Sequence, residues 1–147
     1  MSGRIRPMAL VLFRRDDGRV LVAPGFDSVK QQRFYRPLGG EIEFGERAED
    51  AARREIREEL GAEIDGLKLI GVFENLFTFL GRPGHELVWL FEARFREPAY
   101  YHGDELTADE GGAAFPVRWV PLDTFARGEA PLYPDGLLEA LLAAAGA

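Results

Sequence analysis

Three glutamates, Glu55, Glu58 and Glu59, stand at spacings i, i+3 and i+4. On a helix that spacing stacks their carboxylates on one face, where like charges repel. A hard divalent cation reverses this cost, because Mg²⁺ takes carboxylate and phosphate oxygens as ligands. Alone, such a triplet is usually a solvated helix face. Upstream lies Gly39-Gly40. A glycine pair reaches backbone conformations that bring carbonyls or amides close to a metal or a phosphate, although by itself it signals only a turn. Glu46 falls near the expected helix start, where the helix dipole favours a carboxylate. A folded loop there would carry it to Arg54.

The elements around these residues follow from pattern. A helix is expected over Glu46–Leu60, ended by Gly61 as a left-handed cap. Its stripe Ala48, Ala52, Ile56 and Leu60 is apolar and should face the core, leaving the acids on an adjoining face. Upstream, Met8–Phe13 is a strand candidate. Asp16-Asp17-Gly18 signals a turn, and Arg19–Ala23 reads as the returning strand of a hairpin. Phe26–Gln32 reads as a polar loop before Phe34–Leu38 and the glycine pair. Downstream, Leu67–Phe79 is one or two strands, Arg82-Pro83-Gly84 a turn, and Leu87–Phe95 the partner strand. Tyr100–Ala114 reads as a long acidic loop, a type that is often functional. Val117–Val120 is a short strand and Asp135–Ala145 an Ala/Leu-rich helix. The element order predicts an α/β fold, a mixed β-sheet flanked by helices.

The segment Gly40–Ala62, GEIEFGERAEDAARREIREELGA, places all these acids in one frame. It resembles the Nudix signature, G-x5-E-x7-R-E-U-x-E-E-x-G-U, where U is a bulky aliphatic residue. Gly40, Glu46, Arg54, Glu55, Glu58, Glu59 and Gly61 fill the fixed positions and Ile56 the first aliphatic one. Ala62 is smaller than the family usually carries at the last. Pro37 precedes Leu38, where many members have proline directly before the glycines. The resemblance is to the Nudix hydrolase family, of MutT type. It implies one domain over residues 1–147, with the Nudix box at 40–62, folded as an α/β/α sandwich.

The activity implied is Mg²⁺-dependent hydrolysis of a pyrophosphate bond in a nucleoside diphosphate linked to another group, with Mn²⁺ as a substitute. Phosphoryl chemistry of this kind is mainly positioning and charge neutralisation. By resemblance, Glu55 and Glu59 are the principal metal ligands and Glu58 a further direct or water-mediated one. A carbonyl at Gly39 or Gly40 completes the shell, and Glu46 belongs to the same loop. Arg54 pairs with Glu46 or with a metal-binding glutamate and orients it. The general base lies in the box or outside it. Outside it, Glu110 in the acidic loop is the first candidate, with Glu105 and Asp109 nearby and Glu86 the other choice. His85 is a candidate substrate contact. For substrate binding the residues offer only Arg33 and Arg36, Glu86, and the aromatics Phe77, Phe79, Trp89, Tyr100 and Tyr101.

Composition narrows the rest. The 147 residues carry a net charge of −7, which argues against a nucleic-acid partner. The expected partner is a small nucleotide or nucleotide derivative. A homodimer is compatible with the resemblance, and no residue demands it. There is no cysteine, hence no thiolate ligand and no disulfide. No apolar run is long enough for a membrane span, and a cytoplasmic location is the expectation. A rival is a Nudix-fold protein that senses a nucleotide without cleaving it. Another is an isopentenyl diphosphate isomerase, whose common form wants the cysteine this chain lacks.

Overall fold

The computed structural model of the chain describes residues 3–145. Its central strand is β1 (Ile5–Leu12), and the apolar run inside it is buried on both faces. Ala9, Val11 and the following Phe13 enter one core, while Met8, Leu10 and Leu12 enter a second. The split follows from the two-residue repeat of a strand. A strand apolar on both faces needs cover on both. One cover is α1 (Ala48–Leu60), through Ala51, Ala52 and Ile56. On the other side lie the short α2 (Leu122–Ala126) and α3 (Leu137–Ala145), through Phe125, Leu137 and Leu141. The layering is an α/β/α sandwich.

Between the helices are two four-stranded sheets rather than one. The remaining strands are β2 (Arg19–Asp27), β3 (Gln32–Arg36), β4 (Leu38–Glu41), β5 (Ile64–Phe79), β6 (Arg82–Phe95), β7 (Glu105–Glu110) and β8 (Ala113–Pro121). The first sheet has the order β4-β1-β6-β5 and is mixed, because β1 and β6 run parallel. The second has the order β3-β2-β8-β7 and is antiparallel.

Several expected elements are redrawn. β1 and β2 do not form a hairpin. Gly18 makes the turn, and Arg15 and Leu21 donate to the carbonyls of Arg19 and Phe13. Beyond that the strands part into different sheets, because each has apolar residues on both faces and needs separate neighbours. The segment expected as the loop Phe26–Gln32 is instead the end of β2, a four-residue tip and the start of β3. The turn expected at Arg82-Pro83-Gly84 lies at Leu80-Gly81, both with positive φ, and Pro83 and Gly84 pair within β6. The long loop expected over Tyr100–Ala114 contains a 3₁₀ turn, Pro98–Tyr101, and then the β7–β8 hairpin. Acidic composition hid that hairpin, whose one fully buried β7 position is Ala108. α1 begins two residues later than expected, and Gly61 ends it in the left-handed conformation with φ 67°. Ala62, although small, is buried in the core that α1 covers.

Candidate functional site

Burying Ala51, Ala52 and Ile56 fixes the rotation of α1 and therefore where its acids go. Glu58 stays exposed, Glu55 is mostly enclosed, and Glu59 is only 7% exposed. Arg54 sits among them as an organiser. Its Nε and Nη2 donate to the two carboxylate oxygens of Glu46 at 2.8 and 2.9 Å. Nη1 donates to Glu55 at 3.0 Å and to Glu58 at 3.3 Å, and Nη2 also reaches the Glu41 carbonyl at 3.1 Å. A planar guanidinium can serve this many acceptors where an ammonium cannot. Glu46 in turn accepts the Glu43 backbone N–H at 3.1 Å, which closes the loop before α1. Held this way, Glu46 has its pKa lowered to about 2, chiefly by Arg54.

Gly39 and Gly40 are not in that loop. They lie in β4, opposite Leu10 and Ala9 of β1. Their lack of a side chain matters differently at each position. Gly39 has φ 141°, and a Cβ there would strike the Ala9 carbonyl oxygen. A Cβ on Gly40 would lie 2.5 Å from the Glu55 carboxyl group. Glu55 therefore rests against the bare β4 backbone.

Glu59 is the most strained electrostatically. Burial, then the neighbouring charges of Glu55 and Glu110, push its pKa up to about 8, with the Gly39 amide pulling the other way. Its Oε1 is enclosed and has no hydrogen-bond partner among the described residues. Glu55 is raised in the same direction by burial, against the pull of Arg54.

Among the described residues no three His, Asp or Glu side chains already close around one point as a metal cage. The donor set nonetheless fits a hard cation. Every candidate ligand is an oxygen, one of them is buried with no partner among the described residues, and the Glu55 carboxylate rests against the bare backbone of Gly40. Mg²⁺ is commonly held by one or two carboxylates and keeps waters or substrate phosphates elsewhere, so a closed cage is not required.

These residues line one cavity of about 670 Å³. Gly39, Gly40, Arg54, Glu55, Glu58, Glu59 and Glu110 are on its wall, and so are Arg36 and Glu86. Glu110 sits at the end of β7, not in a loop. Glu86 is 1% exposed and held between Arg36 at 3.4 Å and Arg6 at 3.6 Å. A carboxylate so paired is a clamp for two arginines. The other acids go elsewhere. Glu105 pairs with Arg118, and Asp109 accepts the Gly112 N–H in the β7–β8 turn. His85 bonds Glu74, and Arg33 is exposed outside the cavity.

A second cavity of about 340 Å³ adjoins the first, sharing Arg6, Ala23, Arg36 and Glu86. Its walls are aromatic: Phe34, Phe77, Phe79 and Tyr133. Two rings are seated on glycines. Phe34 lies over its cross-strand partner Gly25, and Phe77 over Gly84. Phe34 meets Phe79 and Tyr133 edge-on, at centroid distances of 5.8 and 5.7 Å. Of the expected aromatics, only Phe77 and Phe79 are here. Trp89, Tyr100 and Tyr101 pack against the core on the α1 side. Arg6, Asp27, Phe34, Asn75 and Tyr133 were not singled out from sequence. Asn75 left one signal, an amide inside a strand, where Asn is disfavoured.

The NUDIX domain family model matches residues 4–141. The chain is 33% identical over 101 residues to a mouse (Mus musculus) protein named oxidized purine nucleoside triphosphate hydrolase, covering 69% of this chain and 56% of that one. It is 36% identical over 96 residues to the zebrafish (Danio rerio) protein of the same name, covering 63% and 54%. The chain thus spans little more than half the length of these relatives. Among solved structures, a NUDIX hydrolase from Nitrosomonas europaea aligns with a TM-score of 0.64 at 15% identity, covering 94% of this chain and 86% of its own. The E. coli ORF135 protein gives 0.56 at 24% identity, covering 96% and 91%. A MutT NUDIX hydrolase from Burkholderia pseudomallei gives 0.58 at 22%, covering 82% and 85%. At these identities the structures speak to the fold. With the family model spanning the sandwich, and with the box residues gathered on one cavity around Arg54, the chain belongs to the Nudix family.

Proposed function

We propose that this chain is a divalent-metal-dependent hydrolase that cleaves a phosphoanhydride bond of a nucleotide lying across both cavities. The phosphates occupy the acidic cavity and the base the aromatic one. One observation carries this reading. Glu59 keeps a buried carboxylate oxygen, without a partner among the described residues, in the wall of an acidic cavity that shares residues with an aromatic one. The substrate class is a purine nucleoside triphosphate, including oxidized forms, and the names of the mouse and zebrafish relatives support that choice.

Glu55 and Glu59 would hold the metal, Mg²⁺ with Mn²⁺ as a substitute, and exposed Glu58 would join through water. A backbone carbonyl at Gly39 or Gly40 would add a neutral oxygen. A cation bound there neutralises phosphate charge and acidifies an attacking water. Arg54 keeps Glu55 and Glu58 in place through its grip on Glu46. Arg36 and Arg6, steadied by Glu86, face the passage between the cavities and would bind phosphate oxygens. Glu110, whose charge acts on both Glu55 and Glu59, is the candidate base.

The test is a screen of nucleoside triphosphates, ADP-ribose, dinucleoside polyphosphates and nucleotide sugars with Mg²⁺ or Mn²⁺, using Glu59→Gln as the blank. Metal-dependent turnover of purine triphosphates, lost in the blank, is expected. Tight nucleotide binding without turnover would instead identify a sensor and overturn the hydrolase reading.

A further inference from the structure

Among the polar groups lining the aromatic cavity, Asn75 combines a fixed direction with an uncommitted donor. It lies on β5, is 4% exposed, and pairs in register with Glu86. Its Oδ1 accepts the Asp135 backbone N–H at 3.2 Å. That bond fixes the orientation of the amide, because Nδ2 cannot accept in its place. Nδ2 has no acceptor among the described residues, and it is not among the enclosed atoms that lack a partner, so it opens onto the cavity.

The neighbouring polar groups cannot discriminate in the same way. Asp27 is already committed, with Oδ1 accepting the N–H groups of Val29 and Lys30 and Oδ2 that of Leu80. Both oxygens of Glu86 face arginines. The hydroxyls of Thr78 and Tyr133 rotate, and the Gln32 amide has no bond that orients it, so each can donate or accept. Arg6 and Arg36 also only donate, but Glu86 draws both toward the passage between the cavities, and the Lys30 ammonium rides on a flexible stem. Asn75 is therefore the neutral donor of set direction on the aromatic wall.

We propose that Asn75 determines base specificity by donating from Nδ2 to a carbonyl on the base edge, so that the site takes 6-oxopurine nucleotides in preference to 6-aminopurine ones. This rests on the reading that the aromatic cavity holds the base. An amino group at position 6 would set donor against donor, leaving both unsatisfied. A carbonyl there completes the bond.

The test compares kcat/KM for dITP, dATP and the triphosphate of unsubstituted purine deoxyriboside, which carries only hydrogen at position 6. The wild type is expected to rank them dITP, then the unsubstituted purine, then dATP, with at least tenfold between the extremes. Asn75→Asp keeps an oxygen for the Asp135 N–H and replaces the donor by an acceptor. It is expected to cut the dITP-to-dATP ratio at least tenfold, mainly through lost turnover of dITP. Phe77→Ala separates this idea from the one beneath it and is expected to raise KM for all three. If it does so while the wild type treats dITP and dATP alike, the donor assignment falls and the base pocket stands. If Phe77→Ala leaves KM unchanged, or no purine triphosphate is hydrolysed, both fall. The wild-type ranking decides the matter even if Asn75→Asp does not fold.

Discussion

Glu59→Gln separates the chemical role of this residue from its structural cost. In the folded protein without metal, burial and the charges of Glu55 and Glu110 raise the Glu59 pKa from 4.5 to about 8. A shift of that size corresponds to a penalty on the order of 5 kcal/mol on the ionised form, an upper bound once relaxation is allowed. The sign is set by proton counting. Between pH 4.5 and 8 the native state keeps a proton that the unfolded state has released, so stability falls as pH rises. The amide is neutral at every pH and escapes the penalty. Without metal, Glu59→Gln should match the wild type near pH 4.5, gain on it steadily, and exceed it by about 2 kcal/mol or more at pH 9. Mg²⁺ should reverse the order, because a ligand that binds only the native state raises its stability and the wild type alone keeps the ionisable ligand. Turnover should disappear in the variant. Urea denaturation across pH, with and without Mg²⁺, measures all of this. A variant less stable than the wild type at pH 9 without metal, or one that Mg²⁺ stabilises equally, would refute the reasoning.

The paired glycines should fail differently. Gly40→Ala pushes a Cβ into the flexible Glu55 carboxylate, so the melting temperature should hardly move while activity falls sharply. Gly39→Ala meets backbone at φ 141° and should cost roughly 2–4 kcal/mol of stability, read by thermal melts. Arg54→Lys keeps the charge but loses the two-pronged hold on Glu46. A loss of about 10- to 100-fold in kcat/KM is expected, with a raised Mg²⁺ requirement in metal titrations. Glu110→Gln should lower kcat and alter the pH–rate profile, whereas Glu86→Gln should chiefly raise KM by loosening Arg36 and Arg6. Steady-state kinetics over pH distinguishes the two, and an unaltered profile in both would return the base to the box.

What could be read in advance was the part governed by short-range spacing. α1, its Gly61 cap, its buried stripe and the Arg54–Glu46 pairing all arise within about one turn of helix or one tight loop. What escaped notice depends on where distant segments meet. Glycines 39 and 40 read as a loop because Gly-Gly is a turn signal. They lie in a strand because β4 must pass close under Glu55, with backbone against carboxylate. Arg82-Pro83-Gly84 carries the stronger turn composition, yet Leu80-Gly81 turns, since only then does Phe77 fall opposite Gly84. The aromatic cavity draws Phe34 from β3, Phe77 from β5 and Tyr133 from the segment before α3, and no periodicity links those three. Glu86 shows the limit most clearly. Its type suggested an acid or base, and only the tertiary structure reveals two arginines already holding it.

Charge, more than family likeness, is what the proposed metal would answer. Seven glutamates and three arginines line the acidic cavity, so a triphosphate approaching it alone meets net repulsion. Two of the arginines are occupied by Glu86 and the third by Glu46, Glu55 and Glu58, which leaves little positive charge to spare. On the proposed reading this surface would become attractive to phosphate only after a divalent cation has bound. The raised pKa of Glu59 and its Oε1, without a partner among the described residues, are what such a cation would relieve. On that reading a cation held at the site would favour the ionised glutamate, which would tie loading of the metal to readiness for the substrate.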